Sequence, residues 1–518
     1  MKTISNRLLH VALAFVLVLG LSAGVSPAAM AVGSSEETTG AASVETSPNA
    51  GARASLLRSI PATGVCEIGT TGYATLQDAL DAVPSNTPTT ITLLQDISVT
   101  DGLSITNKNI TFDLGGFNLA ISNATATDTV TDGLDLLDST IDYVNAGTFT
   151  VSAVDTSALY IEGGSCELTG ATAQASGTED DATFANAIMA DSGAKVVVNG
   201  DVTATGVSAD GIDIMGGSQI TVNGNVSAQS GEGVFATDDG TQATVNGTIS
   251  AGDGGDAVST DANAVVTVNG NLVATGDMTY GIIAFGGSQV AVTGAISAEN
   301  GEGIYASDSG TQVTVTGNIS AQGNYVVDSE SGAKVTVTGN VLATDLTGSA
   351  ADEWGSWPVG VYAASGTVTI NGNVISSDTG VYASTDYSGR RAPGSQVTIN
   401  GTITAPLTYI LLEDRNGNDT ELTAADYTTP TTNPGYLTYT DGVSTVWVQN
   451  INGGGSGTGG GSTGSKTTPA KLTTPTSSSS SKLAKTGDES NLNTAMAAGA
   501  VALIALGAAL VVMRRRAA

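Results

Sequence analysis

Asp210 and Asp213 are the residues of this chain whose type and spacing best fit acid–base chemistry. Three positions apart, two carboxyls can act on one bond, one as acid and the other as base or nucleophile. Asp213 stands where sister segments carry Phe235, Tyr305 or Tyr362, so it is expected to face outward. The plainer account is a pair of solvated turn acids, because the chain holds 49 Asp and Glu and many of them sit in turns. Catalysis by a Lys or Arg base has little to draw on between residues 90 and 450: Lys108, Lys195, Lys334, Arg390, Arg391 and Arg415. Metal chemistry has less. His10 is the only histidine and no C-x-x-C spacing occurs, so no metal site is expected. No cofactor is expected either. Calcium is the one ion left open, by stacked carboxylates such as Asp238, Asp239 and Asp261, although no spaced calcium loop is present.

The element that must position these residues is a repeat. Its clearest copy runs from Gly303 to Gln322 and reads as three short strands separated by two tight turns. A [V/I]-[N/T]-G signature marks the second turn, with its glycine at Gly200, Gly224, Gly247, Gly270, Gly294, Gly317, Gly339, Gly372 and Gly401. A fixed period in the twenties means stacked supersecondary units that bury their apolar faces on one another. Alternation sends Val313/Val315 and Ile319/Ala321 inward and the intervening Thr and Ser outward. Ile212, Val234, Ala257, Ile282, Ile304, Val361 and Val381 are expected to share the first inward slot. The turn glycines are expected to supply positive φ, and Asn199, Asn223, Asn246 and Asn269 to bond as a ladder along the axis. Parallel crossovers are right-handed. The fold class is therefore all-β, a right-handed parallel β-helix of about 23 residues per coil.

The outward slot of the first strand reads Phe235, Val258, Ile283, Tyr305, Val326, Tyr362 and Tyr382, an exposed aromatic and apolar stripe. Two longer coils follow Gly339 and Gly372. The first carries Trp354 and Trp357, the second Asp386, Tyr387, Arg390 and Arg391. Trp354, Trp357, Tyr305, Tyr362 and Tyr382 are thus the candidate ligand-binding residues, suited to stacking on sugar rings. An outward Thr column (Thr221, Thr244, Thr267, Thr314, Thr336, Thr369, Thr398) follows from ordinary β-propensity.

The repeat is framed by other segments. Residues 1–31 have the charge, apolar run and Ala-Met-Ala site of a signal peptide. Residues 32–62 form a flexible spacer. Residues 63–120 hold an N-terminal cap, with an amphipathic helix at 75–83, and the first rungs; 121–412 are the β-helix, irregular to about 185. Residues 413–452 form a C-terminal cap ending in a hairpin turned at Asp441-Gly442. A Gly/Ser/Thr/Pro linker at 453–482 is long enough to span a wall. Cys66 and Cys166 are read as unpaired core residues, with a disulfide as the lesser alternative. The net charge of −32 excludes a nucleic-acid partner.

Residues 483–487 read Leu483-Ala484-Lys485-Thr486-Gly487; within 488–518 an apolar run spans 495–513 before Arg514, Arg515 and Arg516. That run is long enough to cross a membrane. The order resembles the C-terminal sorting signal of Gram-positive surface proteins, LPxTG, with Ala484 in place of Pro. The L-A-x-T-G form is similar to the variant associated with class E sortases of high-GC Gram-positive bacteria. That resemblance implies cleavage between Thr486 and Gly487, with Thr486 joined to an amine of peptidoglycan after transient membrane retention. The rung pattern of residues 90–450 also resembles the pectate-lyase-like β-helix superfamily, which includes polysaccharide lyases and glycoside hydrolases, though no catalytic motif is shared. The sequence therefore leads to a secreted, wall-anchored protein, non-enzymatic, whose rigid stalk serves adhesion or binding of an extracellular glycan or a host or neighbour-cell protein. A surface polysaccharide lyase or glycoside hydrolase is the alternative, and a purely structural coat protein the third reading.

Overall fold

A computed structural model describes residues 64–124, 132–176, 185–277, 279–344, 357–385 and 393–451. The signal peptide, spacer, linker, sorting motif and C-terminal apolar run lie outside these residues, as do Trp354, Asp386, Tyr387, Arg390 and Arg391. Among the described residues no helix is long and apolar enough to cross a membrane.

The chain winds as a right-handed parallel β-helix with three strands per coil. In the coil that begins at Gly303 these are Ile304–Ala306, Gln312–Thr316 and Ile319–Ala321. Each strand pairs in parallel with its counterparts one coil below and one above, as Ile282–Ala284, Ile304–Ala306 and Tyr325–Glu330 do. The third strands stack as a separate 13-stranded sheet. The first and second stacks merge into one sheet because Leu134–Val144 and Leu159–Leu168 each run through both. The stretch expected to be irregular is thus made of coils whose first two strands are fused, with positive φ at Asp138, Gly163 and Gly164 making the bend.

The interior is a column of small aliphatic side chains. Ile304, Ala306, Val313, Val315, Ile319 and Ala321 are all 0–1% exposed, as their period-two spacing dictates. Burying each Val or Ile side chain contributes about 2 kcal/mol, and alanines at two of the six positions let the three walls approach closely. Toward the N-terminus the core widens to admit Phe112 and Phe149, edge to face with centroids 5.5 Å apart.

Both ends are closed. Thr75 caps the helix Leu76–Ala82, its Oγ1 accepting from the Asp78 amide at 3.1 Å, and Leu76, Ala79 and Leu80 turn inward. The first open edge is paired by a strand the sequence had not offered: Cys66–Ile68 lies antiparallel on Pro88–Leu93 and on Thr71–Tyr73. Pairing satisfies edge groups that would otherwise recruit other chains. At the far end the expected hairpin forms between Tyr436–Thr440 and Thr445–Gln449, with Gly442 at φ 88°, and its second strand caps Gln396–Ile399. Cys66 and Cys166 are unpaired and buried, as expected of core residues.

The turn glycines correct one expectation. None of the nine has positive φ; left-handed residues occur instead in the first turn, for example Asp308 (φ 77°) and Gly310 (φ 99°). The second-turn glycines are required by proximity. A Cβ on Gly224, Gly247, Gly270, Gly294, Gly317, Gly339, Gly372 or Gly401 would collide with the carbonyl of the glycine one coil below. The asparagine ladder is present: Asn223, Asn246 and Asn269 each donate Nδ2 to the Oδ1 one coil below, at 2.8–2.9 Å.

Candidate functional site

The outer face of the first-strand stack carries the residues singled out above, and strand pairing fixes its register. One outward column reads Asp213, Phe235, Ser259, Ile283, Tyr305, Asp328, Tyr362, Tyr382. Asp213 is in the aromatic slot, as expected. Val258 and Val326 are not; Ser259 and Asp328 hold those places, and Val258 rather than Ala257 fills the inward slot. The physical reason is that Ala257 and Val258, like Val326 and Val327, are all 0% exposed. Two adjacent apolar residues give alternation nothing to choose between.

The stripe is also less open than its sequence implied. Tyr362 and Tyr382 are 6% and 8% exposed and pack with Val359, Ala364 and Leu411 in a second apolar cluster outside the coil interior. Tyr325 stacks on Tyr362 at 4.5 Å, and Tyr382 meets Tyr362 edge-on at 5.1 Å. The Tyr382 hydroxyl donates to Glu413 at 2.8 Å. Trp357 remains 39% exposed; its ring lies 5.8 Å from that of Tyr382 and its Nε1 donates to Thr379 Oγ1 at 3.0 Å. Of the five candidate ligand-binding residues, then, Trp357 and the half-buried Tyr305 present surface, Tyr362 and Tyr382 do not, and Trp354 lies outside the described residues.

Acids also recur in the corner before the first strand, two positions ahead of the first inward slot. Asp210-Gly-Ile, Glu232-Gly-Val, Asp256-Ala-Val and Glu302-Gly-Ile place a carboxyl at one point of four coils. The sequence signal for this recurrence is an acid two residues before the first inward slot, a place it shares with Asp210. Asp210 Oδ1 accepts the Glu232 amide at 2.9 Å, and Asp256 Oδ1 accepts the Tyr280 amide at 2.8 Å. Burial pushes the Asp210 carboxyl well above its usual range, reinforced by the Glu232 charge, a hydrogen bond shared with that side chain, and the Asp213 charge. The structure therefore brings Asp210 and Asp213 together, yet gives Asp210 a nearer partner in Glu232. Asn186 Nδ2 reaches Asp213 Oδ2 at 3.4 Å. Asp256 is pushed up to about 8, first by burial and then by Glu232.

A second group forms around Tyr305. Burial raises Glu302 to about 8, with Glu330 adding to it. Asp328, 4% exposed, is held well above the carboxylate range by burial and by Glu302 and Glu330. The Tyr305 hydroxyl donates to Glu330 Oε2 at 3.1 Å. A carboxyl raised in this way is easier to protonate and can give a proton to a neighbour. The described basic residues lie elsewhere. Lys108 donates Nζ to the Val83 carbonyl, Lys195 and Lys334 begin second strands at exposed positions, and Arg415 is on an exposed loop. Among the described residues no three Cys, His, Asp or Glu side chains are grouped to hold a metal. Asp238 Oδ2 instead accepts the Gly216 amide at 3.2 Å, and Asp261 Oδ1 the Ala262 amide at 2.6 Å.

The stacked geometry defines a class, the right-handed β-helix, and it fits the pectate-lyase-like form expected from the rung pattern. A family model described as a right-handed beta helix region matches residues 157–320, seven of the coils above. No curated protein and no solved structure matches the chain.

Proposed function

We propose that the chain is a cell-wall-anchored surface protein whose β-helix is a rigid stalk displaying the outer face of its first sheet for adhesion or for binding a glycan or protein. The observation that carries the reading is the unbroken parallel stack. The second strands pair in sequence from Pro88–Leu93 to Thr445–Gln449 without a missing coil. At a strand spacing of about 4.8 Å, some thirteen coils make a rod roughly 60 Å long. Export and attachment rest on the sequence: the signal peptide, the Leu483–Gly487 motif, the apolar run and the terminal arginines. In this reading a class E type sortase cleaves after Thr486 and joins it to peptidoglycan. Fractionation of cells carrying the full chain tests it. Release should require a muralytic enzyme, and Thr486→Ala should leave the protein in the membrane fraction. Wall attachment undisturbed by Thr486→Ala would sink the anchoring, and a glycan and host-protein array with no partner would sink the display.

One observation favours a second reading, a surface polysaccharide lyase or glycoside hydrolase. Asp210 Oδ1 accepts the Glu232 amide, and burial together with the Glu232 charge raises the Asp210 carboxyl well above its usual range, the direction a general acid requires. Turnover of a polysaccharide, lost in Asp210→Asn and Asp213→Asn with folding intact, would establish it; no turnover across neutral and acidic glycans would remove it.

A further inference from the structure

An Asn-Gly pair is a chemical weak point in any chain, because the glycine nitrogen can attack the asparagine side chain with no Cβ in the way. Nine such pairs occur here, and Asn452-Gly453 lies outside the described residues. Seven of the other eight are built into the coils. At each of the seven a Cβ on the glycine would collide with a carbonyl oxygen of the coil below, as at Gly224 and Gly301, so the peptide is clamped. Ladder asparagines are held by their side chains as well. Asn223 and Asn246 each use both Nδ2 and Oδ1, at 2.8–2.9 Å.

Asn416-Gly417 is the exception. It lies in the turn of the hairpin formed by Thr408–Glu413 and Asp419–Leu422. Both residues are exposed, and the nearest atom to a Cβ on Gly417 would be Glu413 Oε1 at 3.6 Å, an ordinary contact. The Asn416 amide makes one long bond, from Nδ2 to Asp414 Oδ2 at 3.4 Å. The Gly417 N–H donates to the Asp414 carbonyl at 3.0 Å. These bonds belong to a surface turn, which opens locally at little cost. Freeing a ladder asparagine requires two side-chain bonds and a packed peptide to move together.

We propose that Asn416 is a site of spontaneous deamidation in the folded protein, while the coils protect their own Asn-Gly pairs. The Gly417 nitrogen gives its proton to a solvent base and bonds Asn416 Cγ. The Cγ–Nδ2 bond breaks, the base returns a proton to the departing nitrogen, and ammonia leaves behind a cyclic succinimide. Water then opens the ring at either carbonyl, giving aspartate or isoaspartate. Either product places a new carboxylate beside Asp414 and removes the donor that Asn416 offers it. Isoaspartate also lengthens the backbone of the turn by one carbon. The turn directly follows Glu413, the acceptor of the Tyr382 hydroxyl. A charge therefore accumulates with age at the edge of the first sheet's outer face, whatever that face binds.

Incubation of the full chain in mild detergent, followed by peptide mapping in a mass spectrometer, tests this. In native protein Asn416 should deamidate about tenfold or more faster than Asn223 or Asn246, and its products should include isoaspartate. The rate should rise with pH, because a base removes the Gly417 proton. In guanidinium the gap between the sites should narrow sharply, since the fold sets it. Asn416→Gln should remove the product, with circular dichroism and the rate at Asn223 unchanged. Equal or faster loss at Asn223 or Asn246 in native protein overturns the proposal, as does an Asn416 that stays intact. A gap that persists unchanged in guanidinium overturns it too, because the local sequence would then set the rates.

Discussion

The carbonyl of Gly294 occupies the space in which residue 317 would carry a Cβ. Gly317 is therefore fixed by the coil beneath it, not by its own backbone angles. Gly317→Ala should destabilise the protein by about 1–3 kcal/mol, as overpacking does. At Gly310, where φ is 99° and the nearest atom to an added Cβ is 3.4 Å away, alanine should cost about 1 kcal/mol through backbone strain. Urea unfolding of the two variants checks the order. Equal costs would mean the coils can separate to admit a methyl group.

Two asparagine columns should respond differently to aspartate. Asn246 donates Nδ2 to Asn223 and accepts from Asn269, so Asn246→Asp removes a donor and breaks the ladder. Asn271 uses only its Oδ1, which accepts the Ala295 amide at 2.9 Å, and Asp201 fills the corresponding place below Asn225. Asn271→Asp should be nearly neutral, whereas Asn271→Ala and Asn246→Asp should each cost about 1 kcal/mol. Thermal unfolding of the three variants separates the two roles.

Stability should decline as the solution becomes alkaline. Asp256 and Glu302 have folded values of about 8, above the 3.8 and 4.5 of the free groups. A carboxyl raised in the folded state contributes stability that is complete below its unfolded value and is lost as pH rises through the folded one. The denaturation midpoint should accordingly fall from pH 4 toward pH 8 and beyond. Asp256→Asn and Glu302→Gln should flatten that slope. A midpoint that climbs over the same range in the parent protein contradicts the burial of these groups.

The thiols should be inert in the folded chain. Burial pushes the Cys66 thiol up to about 11, with Asp78 adding to it, and raises Cys166 further, again first by burial. Ellman's reagent should find no reactive thiol in native protein and two after unfolding in guanidinium. A band shift on non-reducing gels would reveal a bond that the free cysteines do not form.

How much of this was legible in the sequence depends on which constraint each residue obeys. Slots filled by one apolar residue between polar neighbours, such as Val313 and Val315, were placed correctly because period two leaves a single choice. Val326-Val327 was misplaced because both residues are buried. The turn glycines were found, but their cause was not, since contact between coils leaves no mark within one coil. At the candidate site Asp213 stands out in the sequence because it breaks the aromatic slot, and Asp210 because it lies three residues before it. Glu232, Asp256 and Glu302 share the recurring place of Asp210 but have no second acid three residues on, so nothing in the sequence marks them out. The openness of Tyr362 and Tyr382 depended on what packs beside them, which alternation along a strand does not encode.

The glycine column makes the regular coils between Gly200 and Gly339 present similar upper and lower surfaces to their neighbours, with asparagines adding a ladder from Asn199 to Asn269. Removing one repeat, or copying it, leaves matching surfaces in register at the join. Unequal recombination within the gene can thus lengthen or shorten the rod in whole steps of about 4.8 Å without redesigning either cap. Reach becomes a trait that selection can adjust by counting.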